Sequence, residues 1–169
     1  HSQRVAGLVS QPGGGLAHEM RAVMSGDRMK REHPKYYALW GAKRMVDPAK
    51  PCLSADGLLQ ENVRFVRAVF DVYNTPMVSV MPQDGYAQAC QCERCKGKET
   101  PERGWHGSMS DYVWSYVDRV AREVYKTHPD RKVSCFAYGA YLLPPTKIEK
   151  LSPNVVVGIV HGRRGRFRD

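Results

Sequence analysis

Residues 78–95 read VSVMPQDGYAQACQCERC. A short β-branched run breaks at Pro82, presents Asp84 before Gly85, and runs on into Cys90, Cys92 and Cys95. Met77 to Met81 is too apolar on both faces for a solvent-exposed sheet and fits a buried parallel strand. A strand that ends in a polar loop rich in possible ligands is the usual seat of chemistry in an α/β protein, because the strand roots the loop while its sequence stays free to vary.

The flanking segments supply the helices such a strand requires. From Leu58, apolar residues recur at Leu59, Val63, Val66, Val69, Phe70 and Tyr73, at spacings of three and four, which predicts an amphipathic helix with Ser54 as its N-cap and Asn74-Thr75-Pro76 as its end. Val113, Trp114, Val117, Val120, Val124 and Tyr125 predict a second, capped by Ser108 or Ser110 and ending at His128-Pro129-Asp130. KVSCFAY at 132–138 and NVVVGIV at 154–160 are further strands, and RVAGLV at 4–9 is a first one, followed by the glycine loop SQPGGG. YYALWGAKRM at 36–45 reads as two short strands around Gly41, and a short helix through Arg28 to Glu32 must stop near His33, because Pro34 follows. Strand, helix, strand, helix, strand is the rhythm of parallel βα units. A complete eight-fold barrel needs roughly 200 residues or more, so 169 residues predict a partial (β/α) TIM-like barrel over 1–162 with a basic tail at 163–169.

Composition narrows the function. With 42% hydrophobic and 25% charged residues the chain can bury one real core. Lys and Arg number 26 against 17 Asp and Glu, a net charge of +9. Four of those arginines, Arg163, Arg164, Arg166 and Arg168, crowd the end, and no basic stripe interleaves with aromatics, so nucleic-acid binding is not expected. No run approaches the ~18 apolar residues of a membrane span. Beginning at His1 and not at methionine, the chain reads as a segment of a longer protein.

Candidate chemistry sits at the carboxyl ends of the strands. Those positions are Asp84, Tyr138, His161 and, after the first strand, His18. Asp84 before Gly85 is either a turn aspartate bonding its own backbone or a general acid or sugar-hydroxyl acceptor, since glycoside hydrolysis uses a pair of carboxyls. Glu19 is the candidate second carboxyl, His161 a candidate base or donor, Tyr86, Trp105, Tyr138 and Tyr141 could stack on sugar rings, and His18 is a further substrate-binding candidate. Trp114 and Tyr116, on a helix face, are packing residues.

Cys90, Cys92 and Cys95 form C-x-C-x-x-C, in which three thiolates can converge on one tetrahedral metal without long-range folding. Cys52, in a loop that opens a helix, is the best fourth ligand, ahead of His18 or His106. The alternatives are two disulfides among the same four cysteines, or free thiols. Either would be structural, pinning the loop that carries Asp84. Cys135, inside a strand, reads as a small apolar core residue.

EHPKYYAL with GAKR, PCLS before a helix, VSVMPQDG with CQCERC, HPDRKVSCFAYGAYLLPP and LSPNVVV, in that order, resemble a bacterial domain of unknown function that occurs beside glycoside hydrolases. The resemblance runs from Glu32 to Val157 and implies a barrel like that of α-glucuronidase and β-hexosaminidase type enzymes, completed by the rest of a secreted or cell-surface parent chain. It implies a glycan or oligosaccharide partner, either hydrolysed or only bound. It also supports Asp84, Tyr138, Tyr141 and the set of Cys52, Cys90, Cys92 and Cys95, with Gln83 standing where relatives often carry asparagine.

Overall fold

The structure is a computed structural model that describes residues 20–160. The strand read at 4–9, the glycine loop, His18, Glu19, His161 and the arginine-rich end lie outside the described residues.

Two short helices, α1 (Met20–Met24) and α2 (Asp27–Glu32), open the described chain, and α2 stops at His33 before Pro34 as the proline demands. Its N-cap is Gly26, with no side chain capping it. A hairpin of β1 (Leu39–Trp40) and β2 (Lys43–Arg44) turns at Gly41, whose φ of 58° suits glycine. Helix α3 (Leu58–Tyr73) leads to β3 (Met77–Ser79), helix α4 (Ser110–Tyr125) to β4 (Lys132–Ala137), and β5 (Val155–Ile159) comes last.

Strands β3, β4 and β5 form one parallel sheet in that order, with Val78 beside Val133 and Val133 beside Val155. The α/β class and the parallel pairing follow the βα rhythm. The sheet of the described residues is open and three-stranded, not a closed barrel. Helices α3 and α4 pack together over it, burying Val63, Val66, Val69 and Phe70 from one and Val113, Trp114, Val117, Val120 and Val124 from the other. Each such side chain contributes ~1.5–3 kcal/mol when fully withdrawn from water. Cys135 is buried in β4 as a small apolar residue. Tyr125, expected on the inner face, is instead 40% exposed at the last turn of α4.

The helix starts depart from local expectation. Gly57, not Ser54, is the N-cap of α3, in a left-handed conformation (φ 82°), and the Tyr36 hydroxyl fills the space a Cβ would need there. Met109, not Ser108 or Ser110, caps α4; its amide donates to Ala140 O at 2.9 Å, and Ser110 is buried as the first helical residue. Tertiary contacts set both starts and override capping preference. At the other end of α3, Asn74 takes the left-handed conformation (φ 50°) and closes the helix where the sequence predicts.

Strand β5 is less buried than its apolar sequence suggests, with Ile159 at 71% exposure, because among the described residues it lies at the sheet's edge with β4 as its one neighbour. Among the described residues no helix is long and apolar enough to cross a membrane.

Candidate functional site

The carboxyl end of the parallel sheet brings Asp84 and Tyr138 together. Val80, just past β3, donates its amide to Ser134 O at 2.9 Å, so the chain leaves the sheet only at Met81-Pro82. Asp84 then sits exposed on the loop. Its Oδ1 accepts the Gly85 amide at 2.8 Å and the Tyr138 hydroxyl at 2.9 Å. The turn aspartate is therefore present, closing on its own backbone, and the same oxygen is also partnered across strand ends by Tyr138. Burial, and then the bond to Asp84, raise the Tyr138 pKa, so this hydroxyl remains a donor at neutral pH.

Lys50 was not singled out in the sequence and proves central to this end of the fold. It is buried, and its ammonium donates to the backbone carbonyl of Asp84 beneath the Asp84–Gly85 turn. Burial lowers its pKa, and the Asp84 charge opposes that shift. His106, weighed only as a metal ligand, also belongs here, bonding Gly139 O through Nδ1 at 3.2 Å one residue past Tyr138. Beside it Trp105 is 61% exposed. A lysine after the loop 46–49 and a histidine in a polar connection carry no pattern that would place them at a strand end; their position follows from the crossing of loops.

Of the residues expected around a sugar, His18 lies outside the described residues, as do Glu19 and His161. Tyr86 and Tyr141 are buried to 1% exposure, the first donating from its hydroxyl to Pro51 O at 2.9 Å, the second packing edge-on against Tyr138 at 5.2 Å between ring centroids. Packing is what these two rings do here, and Tyr138, half-buried, is the tyrosine of the set that reaches the surface. Trp114 and Tyr116 are buried as expected.

The four cysteines converge. Cys52, Cys90, Cys92 and Cys95 offer sulfur atoms that all lie within 4.8 Å of one another and could hold a metal ion. The measured edges are 3.5 Å for Cys52–Cys95, 3.6 Å for Cys92–Cys95 and 3.8 Å for Cys52–Cys92. A tetrahedral zinc with Zn–S of about 2.3 Å needs sulfur–sulfur edges of about 3.8 Å, whereas a disulfide needs about 2.05 Å. The backbone supports this set of donors. Leu39 N and Cys92 N donate to Cys90 Sγ at 3.2 and 3.4 Å, and the Tyr112 hydroxyl lies 3.1 Å from Cys95 Sγ. Hydrogen bonds from Cys52, then from Ser54, Tyr112 and Cys92, lower the Cys95 thiol to about 4 in spite of its burial, while the same Cys52–Cys95 bond holds Cys52 well above the ordinary thiol range.

This cluster locks separate segments together. The hairpin packs on the cysteine loop, with Gln91 N donating to Leu39 O at 2.8 Å and the Trp40 indole to Ala89 O at 3.2 Å. The hairpin aromatic is thus a packing residue. Cysteines of the cluster line two cavities of about 580 and 370 Å³, a third of about 390 Å³ lies beside it along Ser54, Arg94 and Tyr112, and Asp84 lines none of the three.

No curated protein matches the chain. A family model described as a domain of unknown function (DUF4838) matches residues 3–165, almost the entire length, and the chain belongs to that family.

Proposed function

We propose that this chain is a glycan-directed module in which Asp84 accepts a sugar hydroxyl at the carboxyl end of the parallel sheet, and in which the four cysteines hold a structural zinc. The observation that carries the first part is the 2.9 Å bond from Tyr138 to Asp84, which joins the ends of two neighbouring parallel strands at the place where α/β proteins keep their chemistry. Tyr138 orients the carboxylate, Lys50 fixes the backbone beneath it, and exposed Trp105 lies near enough in the fold, through His106 and Gly139, to offer a stacking face. The resemblance to domains found beside glycoside hydrolases, and through them to α-glucuronidase and β-hexosaminidase type barrels, supports a saccharide as the ligand. On this reading the open sheet is part of a (β/α) barrel that the rest of a secreted or cell-surface parent chain completes.

For the cysteines, zinc fits the near-equal sulfur edges and the N–H donors aimed at Cys90 Sγ. Four thiolates would close the coordination sphere, so the ion supplies a cross-link and no open position for water. Its consequence is mechanical. Cys90 to Cys95 follow the Asp84 loop, and Cys52 follows Lys50 and Pro51, which bond the Asp84 carbonyl and the Tyr86 hydroxyl, so one knot would tie the loop's far end to the segment beneath it.

Glycan-array binding and hydrolysis assays on the chain and on Asp84→Asn test the reading. Hydrolysis lost on substitution makes Asp84 a catalytic residue, whereas binding that weakens with no turnover in either protein supports the rival, non-catalytic carbohydrate-binding module. Binding and turnover both unchanged in Asp84→Asn remove Asp84 from the function.

A further inference from the structure

The 390 Å³ cavity beside the cysteine knot collects cations. Arg94, Lys98, Arg119 and Lys147 line it together with Ser54, Ser115 and Tyr112. Arg94 is paired with Asp56. Lys98, Arg119 and Lys147 have no carboxylate partner among the described residues. The acid in the wall, Asp111, is already committed: Oδ1 accepts the amides of Thr146 and Lys147 at 2.6 and 3.0 Å, and Oδ2 the Thr146 hydroxyl at 2.8 Å with Arg103 at 3.8 Å. Three uncompensated positive charges therefore face one concavity, where they raise the local concentration of anions.

Arg119 is anchored through its guanidinium, whereas Lys98 and Lys147 are held at the backbone. Lys98 N donates to Cys95 O at 3.0 Å, which ties its loop to the knot. Arg119 donates to Leu53 O at 3.3 Å and lies over the Tyr116 ring at 5.8 Å. Lys147 is held through its amide by Asp111. Arg119 thus presents a held guanidinium and the two lysines present exposed ammonium groups on fixed backbone roots, all on one space of ligand size that an anion can enter. The hydroxyl groups of Ser54 and Ser115 add neutral polar partners for hydroxyls carried on the same ligand.

We propose that this cavity is a subsite for the carboxylate or sulfate group of an acidic saccharide. The choice of a saccharide carrier rests on the glycan-directed reading of the strand-end site; the choice of an anion rests on the cavity. The one aromatic in the lining, Tyr112, is buried against Cys95, which leaves no ring for a nucleic-acid base to stack on.

Calorimetric titration of the chain with a sulfated tetrasaccharide, an oligogalacturonate, a neutral tetrasaccharide, inorganic sulfate and a single-stranded oligonucleotide tests it. The acidic saccharides bind more tightly than inorganic sulfate, more weakly as salt rises, and about tenfold or more weakly to Lys98→Ala/Lys147→Ala, a variant whose two changes are on exposed side chains. Lys98→Glu/Lys147→Glu deepens the loss. Acidic saccharides that bind no better than inorganic sulfate, binding that ignores both lysine variants, or an oligonucleotide that binds more tightly through the same lysines each overturns the proposal. Asp84→Asn separates the two sites: acidic binding that survives Asp84→Asn and fails in the lysine variant sustains this subsite even where the strand-end reading falls.

Discussion

The Tyr138 hydroxyl donates to Asp84 Oδ1 at 2.9 Å, joining residues 54 apart in sequence at the ends of adjacent parallel strands. Tyr138→Phe keeps the ring and its edge contact with Tyr141 and removes the hydroxyl that donates to Asp84. Because Asp84 is exposed and water can replace the bond, stability falls by only about 0.5–1 kcal/mol. Glycan affinity falls as well, about fivefold, since the carboxylate loses the group that orients it. Denaturant unfolding and titration on one variant measure both, and equal affinity in wild type and Tyr138→Phe would detach Tyr138 from the site.

Lys50→Met tests the support beneath that pair. Methionine fills much of the same volume without an ammonium, so the Asp84 carbonyl loses its donor while the buried stem is kept. Burial of an ammonium opposes folding, so stability changes by no more than about 1 kcal/mol in either direction. Glycan binding weakens as the Asp84–Gly85 turn loosens. Unaltered affinity, with amide-proton shifts confined to residue 50, would limit Lys50 to packing.

The cysteine knot is tested by chelation and thiol counting. A strong zinc chelator lowers the unfolding midpoint and raises the number of titratable thiols by four; the effect is several kcal/mol, below the ~10–16 kcal/mol apparent for zinc-finger peptides, because a separate apolar core remains. Cys95→Ser, at a buried sulfur bonded to two other cysteines, costs more than Cys92→Ser, which is half-buried. Elemental analysis without stoichiometric metal would turn the cluster into a set of thiols.

Asp111 makes stability depend on pH in acid. Burial alone would raise its pKa, but the amides of Lys147 and Thr146, the Thr146 hydroxyl and nearby Arg103 outweigh that and leave it lowered. A carboxyl depressed in the folded state adds stability above its unfolded value of about 3.9, and that contribution is lost as pH falls through the folded value. Asp111→Asn is therefore less stable than wild type at neutral pH, by about 1–3 kcal/mol for a buried, multiply bonded acceptor, and the gap closes below about pH 4. A gap that is constant from pH 7 to pH 2 would contradict this assignment.

Gly57→Ala meets two obstacles, a left-handed backbone (φ 82°) and the Tyr36 hydroxyl in the Cβ position. The backbone alone costs about 1 kcal/mol, and displacing a buried tyrosine adds to it, so a loss of about 2–4 kcal/mol is expected by thermal unfolding. The double variant with Tyr36→Phe recovers part of that loss if the hydroxyl is the obstruction, and recovers nothing if backbone strain is the whole cause.

By itself the sequence determined the elements whose signal is periodic. Apolar spacing of three and four placed α3 and α4, β-branched runs placed β3, β4 and β5, and Gly41 placed the hairpin turn, because burial on one face leaves its period in the chain. It also marked Asp84 and Tyr138 as strand-end residues, and grouped Cys52 with Cys90, Cys92 and Cys95. Tertiary structure alone decided the rest. Serines at 54, 108 and 110 are good caps locally, yet Tyr36 behind Gly57 and Ala140 beside Met109 set where the helices start. Tyr86 and Tyr141 look like ligand aromatics in a loop sequence, and packing turns both inward. Lys50 beneath Asp84, and the cations gathered around one cavity from α4 and two loops, have no local signature, because the free energy that brings distant segments together comes from a core they do not themselves compose.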